Sequence, residues 1–137
     1  MINAINACLR EIGHSGLEEG KGLCSVVSPH DAAMGLIEDA QVGDPAKAAV
    51  KMVRDCGAPA RWAMRVIENA RVGDPARAAV ELFRRCGVSR IWTENVIERA
   101  PTGDLTWAVD QMVRCHGSSR AWADRVAARA RQRTTED

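Results

Sequence analysis

The 137-residue chain contains no tyrosine and a single phenylalanine. It has no apolar run of the roughly 18 residues that a membrane-spanning helix needs, so no membrane contact is expected. Its start, MINAINACLREIG, lacks the basic and long apolar regions of a secretory leader. The five cysteines (Cys8, Cys24, Cys56, Cys86, Cys115) form no C-x-x-C pair. An odd number of thiols without a leader points to free cysteines in a reducing, cytoplasmic setting. Nucleotide fingerprints are absent too. GLEEGKG (16–22) has glycines and a lysine at neither the P-loop nor the dinucleotide spacing. Its glycines instead mark an irregular helix start. No cofactor is expected.

What is present favours helix. Alanine and arginine are abundant and β-branched runs are short. A length of 137 residues fits one domain, and 46% hydrophobic content suffices for a packed core. The net charge of +1 conceals a polarity. Residues 1–42 carry two basic against six acidic side chains, and residues 43–132 carry sixteen against ten. A basic stretch following an acidic start suits an anionic partner.

The chain repeats itself every 30 residues. Residues 43–72 and 73–102 agree at 15 of 30 positions, 73–102 and 103–132 at 11, and 13–42 and 43–72 at 9. A fixed period of this size marks a stacked helical array. The units are 13–42, 43–72, 73–102 and 103–132, behind a leading segment 1–12 and before a polar tail 133–137 that is expected to fray.

Each unit reads as two helices. Helix A opens on Gly-Asp-Pro, with Asp44 or Asp74 as N-cap and Pro45 or Pro75 at the first helical position. Its apolar stripe is Ala49, Val50, Val53 and Cys56, then Ala79, Val80, Phe83 and Cys86. Gly57, Gly87 and Gly117 stop it. Helix B begins at Pro59, Ser89 or Ser119 and carries Trp62, Trp92 or Trp122 on its inner stripe. Ser28 with Asp31 resembles a capping box. Ile2, Ile5 and Leu9 give segment 1–12 an opening cap helix, for about nine helices in all. A single hairpin cannot bury its stripe, so the fold expected is all-α: a short right-handed α-solenoid of four hairpins with helices ~8–10 Å apart.

Gly-Asp-Pro-Ala-x-x-Ala-Val at 43–50 and 73–80, with a second amphipathic helix after a glycine, resembles short HEAT-like α-helical repeats over roughly 13–132. The resemblance implies a curved stack that holds a protein or, in some relatives, a nucleic acid. VSRIWTENVIERAPTGD (88–104) is also similar in outline to TAL-effector-like DNA-binding repeats, with Gln41-Val42, Arg71-Val72 and Pro101-Thr102 in the place of the variable pair.

Catalytic and metal chemistry find little support. Cys56 and Cys86 fall one unit apart, whereas two thiolates on one zinc need sulfurs roughly 4 Å apart. They read as small buried thiols. Cys115 and His116 are helical neighbours pointing about 100° apart, which is no dyad. His14 and His30 read as local backbone partners. No metal site, no catalytic residue and no enzyme activity is expected.

Binding chemistry is better represented. Arg54, Arg84 and Arg114 share one repeat position, and Arg90 and Arg120 another. Stacking would align them into rows able to grip phosphates or an acidic protein surface. Arg54, Arg84 and Arg114 also suit the helix dipole, and Glu68 and Glu98 are candidate partners. The unit 103–132 departs from the others. Trp107 replaces Lys47 and Arg77, Asp110 replaces Val50 and Val80, and Leu105 replaces proline. Two readings stand for Trp107: an exposed anchor for a partner, or a residue buried because the last hairpin packs differently. The function expected is a non-enzymatic protein-interaction module, a small adaptor or inhibitor. Its contact candidates are Trp107, Asp110, Arg54, Arg84, Arg114, Arg90 and Arg120. The alternative is a nucleic-acid binder using the arginine rows. Self-association through the stack ends is a third partner class.

Overall fold

The stripes and caps resolve into helices alone. A computed structural model describes residues 2–14 and 28–136. It gives eight helices and no strand among them: α1 (Ile2–Arg10), α2 (Pro29–Asp39), α3 (Pro45–Cys56), α4 (Ala60–Asn69), α5 (Pro75–Cys86), α6 (Arg90–Arg99), α7 (Leu105–His116) and α8 (Arg120–Glu136). The first helix A, expected within 13–42, lies outside the described residues. No described helix is long and apolar enough to cross a membrane.

Odd helices touch odd helices: α1 lies against α3, α3 against α5, and α5 against α7. Each even helix packs on its odd neighbours. The helix expected as a cap, α1, sits beside α3 as α3 sits beside α5. Ile5, Cys8, Leu9 and Ile12 drive this, because their stripe joins Ala46, Ala49 and Val50 in one core cluster. Lys51 of α3 adds an ion pair to Glu11 at 2.6 Å. That hydrogen bond holds the Glu11 carboxyl below its usual range.

The Asp44 and Asp74 caps form as the sequence predicts, and Asp104 makes the same cap ahead of Leu105. Asp44, Asp74 and Asp104 each accept the backbone N–H three residues on, all at 3.0 Å through Oδ1. The other carboxylate oxygen reaches across units. Asp74 N–H donates to Asp44 Oδ2 at 3.3 Å, and Asp104 N–H donates to Asp74 Oδ2 at 3.1 Å. The series starts where Asp44 N–H donates to the Glu11 carbonyl at 2.7 Å. One aspartate per unit thus caps its own helix and fastens the next. Gly73 is the residue that lets the chain pass: its φ is +80°, and a Cβ there would stand 2.5 Å from Asp44 Oδ1.

A second tie joins the even helices. Trp62 Nε1 donates to Glu38 at 2.5 Å, and Trp92 Nε1 donates to Glu68 at 2.6 Å. Trp62 and Trp122 are buried, while Trp92 is half-buried. The third link is missing. Glu98 accepts from Arg125 at 2.7 Å, and Trp122 Nε1 has no hydrogen-bond partner among the described residues.

Three local expectations change. Cys86 is exposed, as is Cys115, because α1 covers only the Cys56 end of the odd row. Glu68 and Glu98 hold Trp92 and Arg125 and not the arginines of the odd helices. The polar tail expected to fray over 133–137 stays in the helix as far as Glu136, where α8 ends. Alanine and arginine dominate α8 as a whole, and neither glycine nor proline interrupts it.

The buried thiols differ in chemistry from the exposed ones. Burial, reinforced by the adjacent Cys56, pushes the Cys8 thiol up to about 12. Iodoacetamide near neutral pH should therefore alkylate Cys86 and Cys115 well before Cys8, as read by peptide mass spectrometry. The same shift sets a sign for stability. Between 9.0 and about 12 the unfolded chain releases the Cys8 proton and the folded chain keeps it, so this contribution falls as pH rises.

Candidate partner-binding site

At the α7 end the repeat changes its surface. In α5, Pro75, Ala76, Ala79 and Val80 are buried. In α7 the same register holds Leu105, Thr106, Val109 and Asp110. Thr106 is exposed and the other three are half-buried. With no described helix over them, these residues and the facing side of α8 form a groove of about 600 Å³. Its floor includes Val109, Val113, Ala123 and Ala127, and its rim includes Arg114, Arg120 and Arg131.

Three of the seven contact candidates meet in this groove: Asp110, Arg114 and Arg120. Asp110 holds Arg114 at 2.9 Å, one helical turn along. The pair is half-exposed or more at both ends, so it contributes at most about 1 kcal/mol to stability. It also explains how a carboxylate occupies a position where α3 and α5 bury valine: here the carboxylate stays in water and is paired.

Trp107 lies beside the groove. It is half-buried and packs with Leu105 and Val109 on the core cluster shared by Ala108 and Met112. The Arg77 guanidinium covers the ring, 4.7 Å from its centroid. Neither simple picture of Trp107 fits, since α7 contacts α5 as α5 contacts α3. The indole is an edge residue, stacked by the cation at its own repeat position.

The arginine rows are divided. Arg54 is engaged by Asp55 through two hydrogen bonds of 2.9 and 2.8 Å. That contact lowers the Asp55 carboxyl and raises the Arg54 guanidinium. Arg90 reaches Glu94 at 3.6 Å and the Gly117 carbonyl at 3.4 Å. Arg84 is exposed, without an ion pair among the described residues. Its row is therefore not a continuous cationic track.

The histidines and thiols stay apart from this site. His30 Nε2 donates to the Cys56 carbonyl at 3.0 Å, bridging two units. His116 sits edge-on to Phe83 with centroids 4.8 Å apart, and the Cys115 thiol donates to Gln111 at 3.8 Å. The structure thus turns Cys115 and His116 to different partners. Among the described residues, no three His, Cys, Asp or Glu side chains cluster to hold a metal ion. Of the step pairs, Gln41, Val42, Arg71, Pro101 and Thr102 are exposed, and the Thr102 hydroxyl donates to the Gly73 carbonyl at 2.6 Å.

Two features went unread in the sequence, the double duty of Asp44 and Asp74 and the tryptophan–glutamate ties. A signal existed for both. Asp and Gly recur at fixed places in three units, and Glu38, Glu68 and Glu98 each precede a tryptophan by 24 residues. Compared with known protein families, curated proteins and solved structures, the chain matches none.

Proposed function

We propose that the chain is a non-enzymatic interaction module, a short right-handed α-solenoid of four HEAT-like hairpins that serves as a small adaptor or inhibitor. It holds an amphipathic helix of a partner protein in the α7–α8 groove. One observation carries this reading: Asp110, Arg114 and Arg120 line the same open groove over an apolar floor. Within the chain, the corresponding face of α5 is where α7 lies. The groove is thus shaped for a helix. Thr106 and Asp110 make it amphipathic, which favours a reversible partner over a further identical unit whose contact would bury Asp110.

The nucleic-acid alternative draws less support, because Arg54 and Arg114 already hold carboxylates. Thr106→Arg provides the test. Thr106 is exposed, so the variant should keep the wild-type helical circular dichroism and melting temperature. Its long side chain should block the groove and remove the partner recovered by cross-linking and pull-down from host extract. Undiminished recovery of the same partner would overturn the reading.

A further inference from the structure

The even helices carry a second surface that none of the contact candidates belongs to. Residues at i, i+4 and i+8 along each of these helices form its outward stripe. On α4 the stripe is Arg61, Arg65 and Asn69, on α6 Ile91, Asn95 and Arg99, and on α8 Ala121, Arg125 and Arg129. All nine are exposed. The stripes hold five arginines, two asparagines and no acid. On α2 the same register reads Asp31, Gly35 and Asp39, so the basic character belongs to α4, α6 and α8.

Apart from Arg125, which holds Glu98, the arginines here are unpaired, whereas most cations of the odd helices are engaged. Among the described residues, the guanidinium groups of Arg61, Arg65, Arg71, Arg99 and Arg129 make no ion pair or hydrogen bond. On the odd helices, Lys47 and Lys51 hold Glu11, Arg54 holds Asp55, Arg77 holds Glu81 and Trp107, and Arg114 holds Asp110, while Arg10, Arg84 and Arg85 make no ion pair among the described residues. The acids of α4 and α6 are already committed as acceptors. Glu68 receives the Trp92 indole, Glu94 the Ser118 hydroxyl and Glu98 the Arg125 guanidinium. Surface cations left without a carboxylate create a local field that an incoming one can satisfy.

A groove of about 460 Å³ opens between the C-terminal halves of α4 and α6. Its rim holds Arg71 and Arg99, its walls Asn69 and Asn95, and its floor Trp92 and Val96. We propose that this groove and the arginine face around it bind an acidic, extended polypeptide segment of a partner. The surface is separate from the α7–α8 groove, and the inference does not rest on that reading.

The groove's own groups select peptide over nucleic acid. Asn69 and Asn95 each offer a donor and an acceptor, which matches the alternating N–H and C=O groups of an extended chain. Phosphodiesters offer acceptors only. Glu68 lines the same groove, and its charge opposes a backbone that is anionic at every residue. It accepts a peptide N–H without that penalty. A duplex presents one charge per about 1.7 Å, far denser than the two rim arginines can match. A segment with carboxylates spaced to Arg71 and Arg99 fits without leaving charges unpaired. None of the three outward stripes carries an aromatic ring, and Trp92 on the groove floor is half-buried and tied to Glu68, so the face offers no row of rings on which successive bases could stack.

The test is fluorescence anisotropy of the full chain with a labelled peptide of alternating glutamate and glycine, beside a labelled DNA duplex. The peptide should bind at low salt. Arg71→Gln with Arg99→Gln should weaken it about tenfold or more, and Lys47→Gln with Arg85→Gln on the odd helices should leave it within about twofold. Both rim arginines are exposed, so melting should stay at the wild-type value. If it falls, Arg61→Gln with Arg65→Gln probes the same face and should also weaken the peptide. Absence of peptide binding, equal loss from the odd-helix pair, or tighter binding of the duplex than of the peptide would each overturn the proposal.

Discussion

Gly73→Ala should lower stability by about 2–4 kcal/mol, among the largest single effects outside the core. Two terms combine. The backbone at Gly73 has φ +80°, a region where an alanine is strained by itself. The added Cβ would also meet Asp44, 2.5 Å from Oδ1 and 2.8 Å from Cα. The second contact is with backbone, so no side-chain rotation relieves it. Relief requires moving Asp44, which would loosen both the α3 cap and the bond from Asp74 N–H. Gly57→Ala separates the terms. Gly57 has φ +73°, and nothing lies within 4 Å of the place its added methyl would take, so only backbone strain of about 1 kcal/mol applies. Urea unfolding of the two variants measures the difference. Equal losses would mean that the close approach to Asp44 is not made in solution.

Trp62→Ala should cost about 3–5 kcal/mol, because the indole is only 3% exposed and few neighbours can collapse into its place. The more telling comparison uses phenylalanine. Trp62→Phe keeps most of the apolar volume and removes the bond to Glu38. A loss of about 1 kcal/mol is expected, modest because Glu38 is exposed and water replaces the donor. Trp122→Phe removes an N–H that has no partner among the described residues. It should be neutral or stabilising, since a buried donor without an acceptor is a burden on the folded state. Thermal melts of the two variants decide. If Trp122→Phe is as damaging as Trp62→Phe, the third tie exists in solution and Glu98 serves both Trp122 and Arg125.

The helices were legible because their signals are local. Asp44 and Asp74 announce helix starts, Gly57, Gly87 and Gly117 announce stops, and the stripes between them have one period. The stripe alone did not say where α1 belongs. Ile2, Ile5 and Leu9 predict a helix, but its place beside α3 depends on a packing partner that no local pattern names. Side-chain pairing was the least legible layer. Arg54 has Asp55 as its immediate neighbour in sequence and turns to it, whereas the repeat register suggested Glu68. Of the contact candidates, Asp110, Arg114 and Arg120 converge because they flank one hairpin. The unpaired arginines of the even helices stayed hidden because they are spread over three repeat positions, Arg61, Arg65 and the Arg99–Arg129 pair, and not along a single column of the repeat.

The aspartate link also bears on how such a chain changes length. Asp44 receives Asp74, and Asp74 receives Asp104, through the same oxygen and the same backbone group. Donor and acceptor at these two junctions are therefore interchangeable. Excision of residues 73–102 would bring Asp104 to Asp44 with Gly103 in the place of Gly73, and the seam would carry no mismatched chemistry. A cut of any other size would put a different residue against the carboxylate. The joint thus acts as a ruler: it admits growth or loss by whole 30-residue units and rejects fractions of one.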